Sequence, residues 1–359
     1  MTPDTPLTTT RAAVLHAAGD LRVEEREIRP PGPGEVLVRV SVCGVCGSDA
    51  TEFSRGPVLT VLPVTLGHEF AGVVEAVGEG VRLPVGASVV CGAGISCGTC
   101  KPCRNGRTNL CRSYRTAGLQ VDGGLAGHVV VPESILLDVS DAGLPPDTLG
   151  LAQPMSIAVH AVSRSGLTAG QDAVIVGVGG IGAFLVHAAV ATGARVLAVD
   201  RSPERLALAA TLGAAATSEA GSASVRERLD ELGWEVDVLF EVSGSAAGLA
   251  EVLEAAQPGA TIVPVGIQRG DVEVPLGHWT LREYLIVGTV AHAFAEDLPR
   301  AVELLGARTD WSDIAEEVLP LSGVVADALE PMLRGASRQV KTLIDPWIDA
   351  PRPAVHAAG

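Results

Sequence analysis

Aromatic residues and charges are both scarce in this chain, and no basic stripe runs along it. Only 3% of the 359 residues are Phe, Trp or Tyr and 19% are charged, against 47% hydrophobic. So few rings imply a core of Ala, Val and Leu, and a ligand pocket with little stacking. So much apolar content with so few charges excludes a disordered chain. The formal charge of −16 has no basic stripe within it, which excludes nucleic acid and anionic membrane as partners. The opening "MTPDTPLTTT" lacks the basic start and apolar core of a secretory signal. The expectation is a cytoplasmic protein with reduced thiols. No repeat of solenoid period is present. One uncharged apolar run, Ala173 to Ala194, has the length of a membrane span, but its glycines divide it into strand, turn and helix.

The length suits two domains. The first part alternates short β-like runs ("EVLVRVSV", "FAGVVEAVG", "ASVVCG", "GHVVVP") with Gly/Pro turns. From about Thr168 the pattern becomes strand followed by helix, as in a parallel sheet with crossover helices. From about His292 a helix-like "EDLPRAVELLGA" and a strand-like "QVKTLI" are expected to return to the first domain. The first ten residues and those after about Pro346 read as loose ends.

Four of the seven cysteines lie in "CGTCKPCRNGRTNLC": Cys97, Cys100, Cys103 and Cys111. Thiolates at this spacing converge on one tetrahedral zinc and fill its coordination, which makes a structural site rather than a catalytic one. Disulfides conflict with a reducing compartment, and iron–sulfur clusters use other spacings. A second constellation is more open. Val36, Val38, Val40 and Val42 alternate onto one strand face and place Cys43 on the other, where it packs. Cys46 follows in a glycine-flanked turn where the backbone can approach an ion. Ser48 or Asp49 could simply cap a helix, with Glu52 completing a capping box. His68 and Glu69 in "LGHEF" precede a strand.

In "VIVGVGGIG", Gly177, Gly179 and Gly182 form G-x-G-x-x-G, with Gly180 and Ile181 inside it. The motif follows a strand, opens a helix, and has Asp200 at the end of the next strand, about 20 residues on, as a dinucleotide site requires. A carboxylate there accepts from the adenosine ribose hydroxyls and repels a 2′-phosphate, favouring NAD, while Arg201 and Arg205 keep NADP as the lesser alternative. Met155, Ile157, Val159, His160, His187 and Cys91 read as packing residues.

The ordered set "GVCGSD", "GHE" and the four-cysteine segment resembles the zinc-dependent medium-chain dehydrogenase/reductase family, and within it the sorbitol and polyol dehydrogenase branch. The resemblance runs from about Arg11 to Pro346. It implies an α/β fold: a mainly β, GroES-like catalytic domain over 1–153 and 293–359, and a Rossmann doubly wound domain over 154–292. It implies that Cys46 and His68 bind a catalytic zinc with Glu69 as third ligand or close neighbour, giving two zinc ions per chain. Asp49 would orient His68, and Ser48 would take the substrate proton. Ser243, Val265, Gly266 and Ile267 would line the nicotinamide. Lys341 either approaches the pyrophosphate or is a solvated surface lysine.

Two departures stand out. Thr51 replaces a relay histidine, and Gln153 occupies a place where relatives carry a zinc-facing Glu, Asp or Cys. An amide there leaves three arrangements: zinc on Cys46, His68, Glu69 and water; weak amide ligation; or a vacant centre. The first needs no unusual ligand. The resulting expectation is an NAD- and zinc-dependent dehydrogenase of a small hydroxylated substrate, a homodimer or homotetramer. A zinc-free carbonyl or alkene reductase and a non-catalytic nicotinamide-binding sensor are the alternatives.

Overall fold

The computed structural model describes residues 9–268 and 270–356. Chain contacts divide into two compact units, 1–153 with 293–359, and 154–292.

In the first unit the strand Glu35–Val45 is the organising element. It pairs antiparallel with Glu69–Val77, with His128–Pro132, and with Thr342–Asp345 near the end of the chain. A smaller sheet carries Asp20–Glu27, Thr9–Ala17 and Val64–Thr65. Val36, Val38 and Val40 face one core, as their alternation requires, but the pattern breaks after Val40. A register shift between Val40 and Val42 inserts one residue, so Cys43 and Val45 join the same core. Cys43 is buried, as expected, but on the valine face rather than the opposite one.

The chain ends differ from the loose segments expected. Residues 1–8 and 357–359 lie outside the described residues, yet Thr9 and Thr10 already belong to a strand. Within residues 347–356 the chain is anchored at Trp347, Arg352 and His356. Trp347 donates its indole N–H to the Val40 carbonyl at 2.7 Å and lies under the Arg39 guanidinium. Arg352 grips Asp147 with two nitrogens, at 2.6 and 2.9 Å. The His356 ring is buried between the Thr148 hydroxyl and the Ala315 carbonyl.

In the second unit six parallel strands run across the sheet in the order Ala216–Glu219, Arg195–Asp200, Asp172–Val176, Val238–Glu241, Thr261–Pro264, Leu285–Ile286. Asp172–Val176 is buried throughout, as a strand covered on both faces must be. The apolar run from Ala173 is divided into this strand, a glycine turn and the helix Gly182–Val190. Among the described residues no helix is long and apolar enough to cross a membrane. The strand order reverses between Asp172–Val176 and Val238–Glu241, the place where open sheets of this kind bind ligands.

Candidate active site

Strand register brings the first unit's reactive groups together. Gly44 pairs with Glu69 on one side and with Leu343 on the other. Cys46 therefore leaves its strand where the His68–Glu69 segment enters, and Lys341 arrives from the opposite neighbour. The ligand atoms of Cys46, His68 and Glu69 all lie within 4.8 Å of one another. Two glycines make room for this convergence. A Cβ on Gly44 would run into the Glu69 carboxylate, and Gly67, at φ +96°, leaves no space for one beside Leu125 and Cys43.

Cys46 is the N-cap of the helix Gly47–Arg55, and Asp49, in its first turn, accepts the Cys46 N–H at 2.8 Å. This cap replaces the expected one at Ser48 or Asp49. Glu52 does not complete it. The buried Glu52 carboxylate instead accepts from Val58 N–H, Leu59 N–H and the Thr60 hydroxyl at 2.7–2.9 Å, tying down the loop after the helix. The other Asp49 oxygen lies 3.6 Å from His68 Nδ1, and His68 Nε2 faces the Ser48 hydroxyl at 3.5 Å and Glu69 at 4.0 Å. Burial lowers the His68 pKa, but the Asp49 carboxylate and the Cys46 sulfur outweigh it and hold the imidazole well above its ordinary value.

Lys341 is not a solvated surface lysine. It is buried, and its ammonium lies 2.5 Å from Glu69 Oε2 and 3.4 Å from the Val45 carbonyl. Its partner is the carboxylate of the cysteine–histidine cluster. Burial lowers its pKa while Glu69 and Cys46 raise it, and the net shift is upward. Thr51 turns its hydroxyl back onto the Gly47 carbonyl at 2.9 Å, so it extends no relay. Gln153 is buried in the first turn of the helix Ala152–Ser165.

A thiolate, an imidazole and a carboxylate are a donor set suited to zinc with one coordination position left open. The His68 Nδ1 and Asp49 Oδ1 atoms are buried and have no hydrogen-bond partner among the described residues. They face each other as an imidazole and its orienting carboxylate do when the other ring nitrogen carries a metal. The residues fit the ion.

The four sulfurs of Cys97, Cys100, Cys103 and Cys111 also lie within 4.8 Å of one another, and none is in a disulfide. Backbone N–H groups of Cys97 and Cys100 point at the sulfurs of Cys111 and Cys97. Hydrogen bonds from Thr99 lead in lowering the Cys97 thiol to about 5, whereas burial leads in raising Cys103 to about 11. A cluster that already favours one thiolate is prepared for a cation.

In the second unit Gly177, at φ +103°, turns the chain at the end of its strand, and a Cβ on Gly182 would strike the Gly177 carbonyl. The helix starts after Ile181 without a side-chain cap hydrogen bond, and a helix N-terminus favours an anion. The Asp200 carboxylate accepts from Val178 N–H at 2.7 Å and Ser202 N–H at 3.0 Å, with Arg205 at 4.0 Å. Arg201 is exposed beside it. Across the turn, Val265 and Gly266 donate their N–H groups to the Glu241 carbonyl, Ser243 donates to the Glu241 carboxylate, and Ile267 is exposed. Sequence reasoning missed Glu241. Its only trace there is one acid ending the apolar run "VDVLF".

Residues 32–141 match the family model described as alcohol dehydrogenase GroES-like domain, and residues 180–307 match that of zinc-binding dehydrogenase. D-xylulose reductase A of Aspergillus niger is 32% identical over 307 residues, covering 82% of this chain and 85% of that protein. The crystal structure of 2R,3R-butanediol dehydrogenase from Bacillus subtilis superposes with a TM-score of 0.86 at 30% identity, over 94% of this chain and 99% of that one. A zinc-binding dehydrogenase structure from Sinorhizobium meliloti 1021, bound to NADP, gives 0.86 at 32% identity, over 94% and 99%.

Proposed function

The chain belongs to the family of zinc-binding alcohol dehydrogenases, and on that premise we propose that it oxidises a secondary alcohol on a small polyol, sugar-like or other hydroxylated molecule, with NAD. The observation that carries this reading is the gathering of the Cys46, His68 and Glu69 ligand atoms within 4.8 Å, beside the Ser48 hydroxyl.

Zinc bound there supplies a Lewis acid for the hydroxyl oxygen, and NAD supplies the acceptor of the hydride. The protein's own residues do the rest. Ser48 Oγ takes the hydroxyl proton and passes it outward. Because the Thr51 hydroxyl is spent on Gly47, the carrier beyond the cofactor ribose is water. Asp49 fixes the His68 ring, and Lys341 holds one oxygen of Glu69 while the other is left for the metal. With these three ligands the fourth position falls to water or substrate, and Gln153 need not bind.

Asp200 supports NAD over NADP. Two backbone N–H groups fix its carboxylate at the strand end, where it would meet a 2′-phosphate as a like charge. The four-cysteine cluster is the structural zinc site. Among the described residues the strand Leu285–Ile286 pairs only with Thr261–Pro264 in the sheet and exposes Leu285, with Leu281 and Leu276 nearby in sequence and exposed too. An apolar sheet edge of this kind favours a homodimer or homotetramer. Seven free cysteines suit a reducing cytoplasm.

Steady-state assays of secondary alcohols and polyols, each with NAD and with NADP, test the reading. Turnover with NAD that a zinc chelator abolishes supports it. Turnover that survives removal of all zinc points to the metal-free reductase instead.

A further inference from the structure

Glu241 ends the strand Val238–Glu241 at the sheet's switch point and is 0% exposed. Ser243 Oγ donates to one carboxylate oxygen at 2.5 Å, as does Gly244 N–H at 3.0 Å, and Gln268 Nε2 donates to the other at 2.8 Å. Each oxygen accepts from a group that can only donate, Gly244 N–H on one and the Gln268 amide on the other, a setting that suits an ionised carboxylate. Among the described residues these hydrogen-bond partners are all neutral. Neutral dipoles solvate a buried anion but leave its charge uncompensated, a costly state unless a cation completes the site.

The geometry shows which cation would complete it. Asp200 stands on one side of the Gly177–Gly182 turn, the side proposed for the adenosine ribose. A dinucleotide crossing that turn places its other half over the adjacent strand ends, Val238–Glu241 and Thr261–Pro264. Glu241 joins the turns that follow both. Its carbonyl accepts Val265 N–H at 2.7 Å and Gly266 N–H at 2.9 Å, while its carboxylate holds Ser243, Gly244 and Gln268. The turns touch closely enough that a Cβ on Gly266 would strike Gly244.

We propose that Glu241 is a positioning residue that also sets the charge of the nicotinamide site. Its buried carboxylate favours the positive ring of the oxidised cofactor over the neutral ring of the reduced one, so the protein holds NAD+ more tightly and releases NADH more readily. The proposal rests on the dinucleotide reading of the second unit. A brace without this electrostatic role would affect both cofactor forms alike, so the ratio of their affinities separates the two.

Calorimetric titration of the zinc-loaded protein with NAD+ and with NADH gives that ratio. Glu241→Gln is expected to weaken NAD+ roughly tenfold while NADH stays within about twofold. Glu241→Asp keeps the charge and is expected to keep the wild-type ratio even where both affinities fall. Gln268→Lys leaves the carboxylate in place and sets an ammonium beside it. It is expected to move the ratio in the same direction as Glu241→Gln, and it decides the matter if that variant does not fold. Parallel weakening of both nucleotides in Glu241→Gln, or an equal change of ratio in Glu241→Asp, overturns the proposal. A wild-type protein that binds neither nucleotide overturns the dinucleotide reading itself.

Discussion

The ammonium of Lys341 lies 2.5 Å from a carboxylate oxygen of Glu69, and both side chains are buried. A buried pair broken on one side leaves an uncompensated charge costing about 3–5 kcal/mol. Lys341→Met is therefore expected to destabilise the metal-free protein by about that much. Zinc bound at Glu69 would offset the stranded charge and restore much of the loss. Denaturant unfolding with and without zinc checks this. Equal losses in both states would separate Lys341 from the metal centre.

Gly44 faces the Glu69 carboxylate so closely that a methyl group would displace it. Gly44→Ala is expected to lose the zinc proposed at Cys46, His68 and Glu69, and to lose alcohol oxidation with it. The four-cysteine site shares no residue with this contact and should keep its ion. Zinc content and dehydrogenase rate, measured on the same preparation, test the separation.

Burial raises the Glu52 pKa, but hydrogen bonds from Val58, Thr60 and Leu59 outweigh it and hold the carboxyl below its usual value. A depressed carboxylate contributes stability that is fully present above the ordinary glutamate value of about 4.3 and is lost as pH falls through the folded value. Glu52→Gln should cost about 1–3 kcal/mol near neutrality. The gap between variant and wild type should close as pH falls below the ordinary glutamate range, a trend that unfolding curves across pH would reveal.

Asp200→Asn removes the charge proposed to exclude a 2′-phosphate and keeps an acceptor for one of the two backbone N–H groups. The ratio of kcat/KM for NADP to that for NAD is expected to rise roughly tenfold, with Arg205 available to the phosphate. An unchanged ratio would remove Asp200 from cofactor choice.

Local signals made half of this site legible. The four cysteines lie within one loop, and the glycine turn carries its strand, helix and acid in adjacent sequence, so spacing alone conveys their chemistry. What sequence did not convey depends on pairing between distant segments. Lys341 reaches Glu69 only because Leu343 and Glu69 both pair with Gly44. The segment after Pro346 looked loose because its anchors lie far back in the chain: Asp147 is 205 residues from Arg352, and Thr148 is 208 from His356. The face of Cys43 was misplaced by a one-residue bulge that no alternation pattern reveals. Glu241 left little trace because a strand-ending acid reads as a surface group until the turns above it are seen to close.

The most direct test of the account is zinc per chain, by elemental analysis of protein purified without chelator or added metal, in the wild type and in Cys46→Ser. Two occupied centres predict about two ions in the wild type and about one in the variant. A wild type holding about one ion, or equal contents in the two proteins, would contradict a metal centre at Cys46, His68 and Glu69.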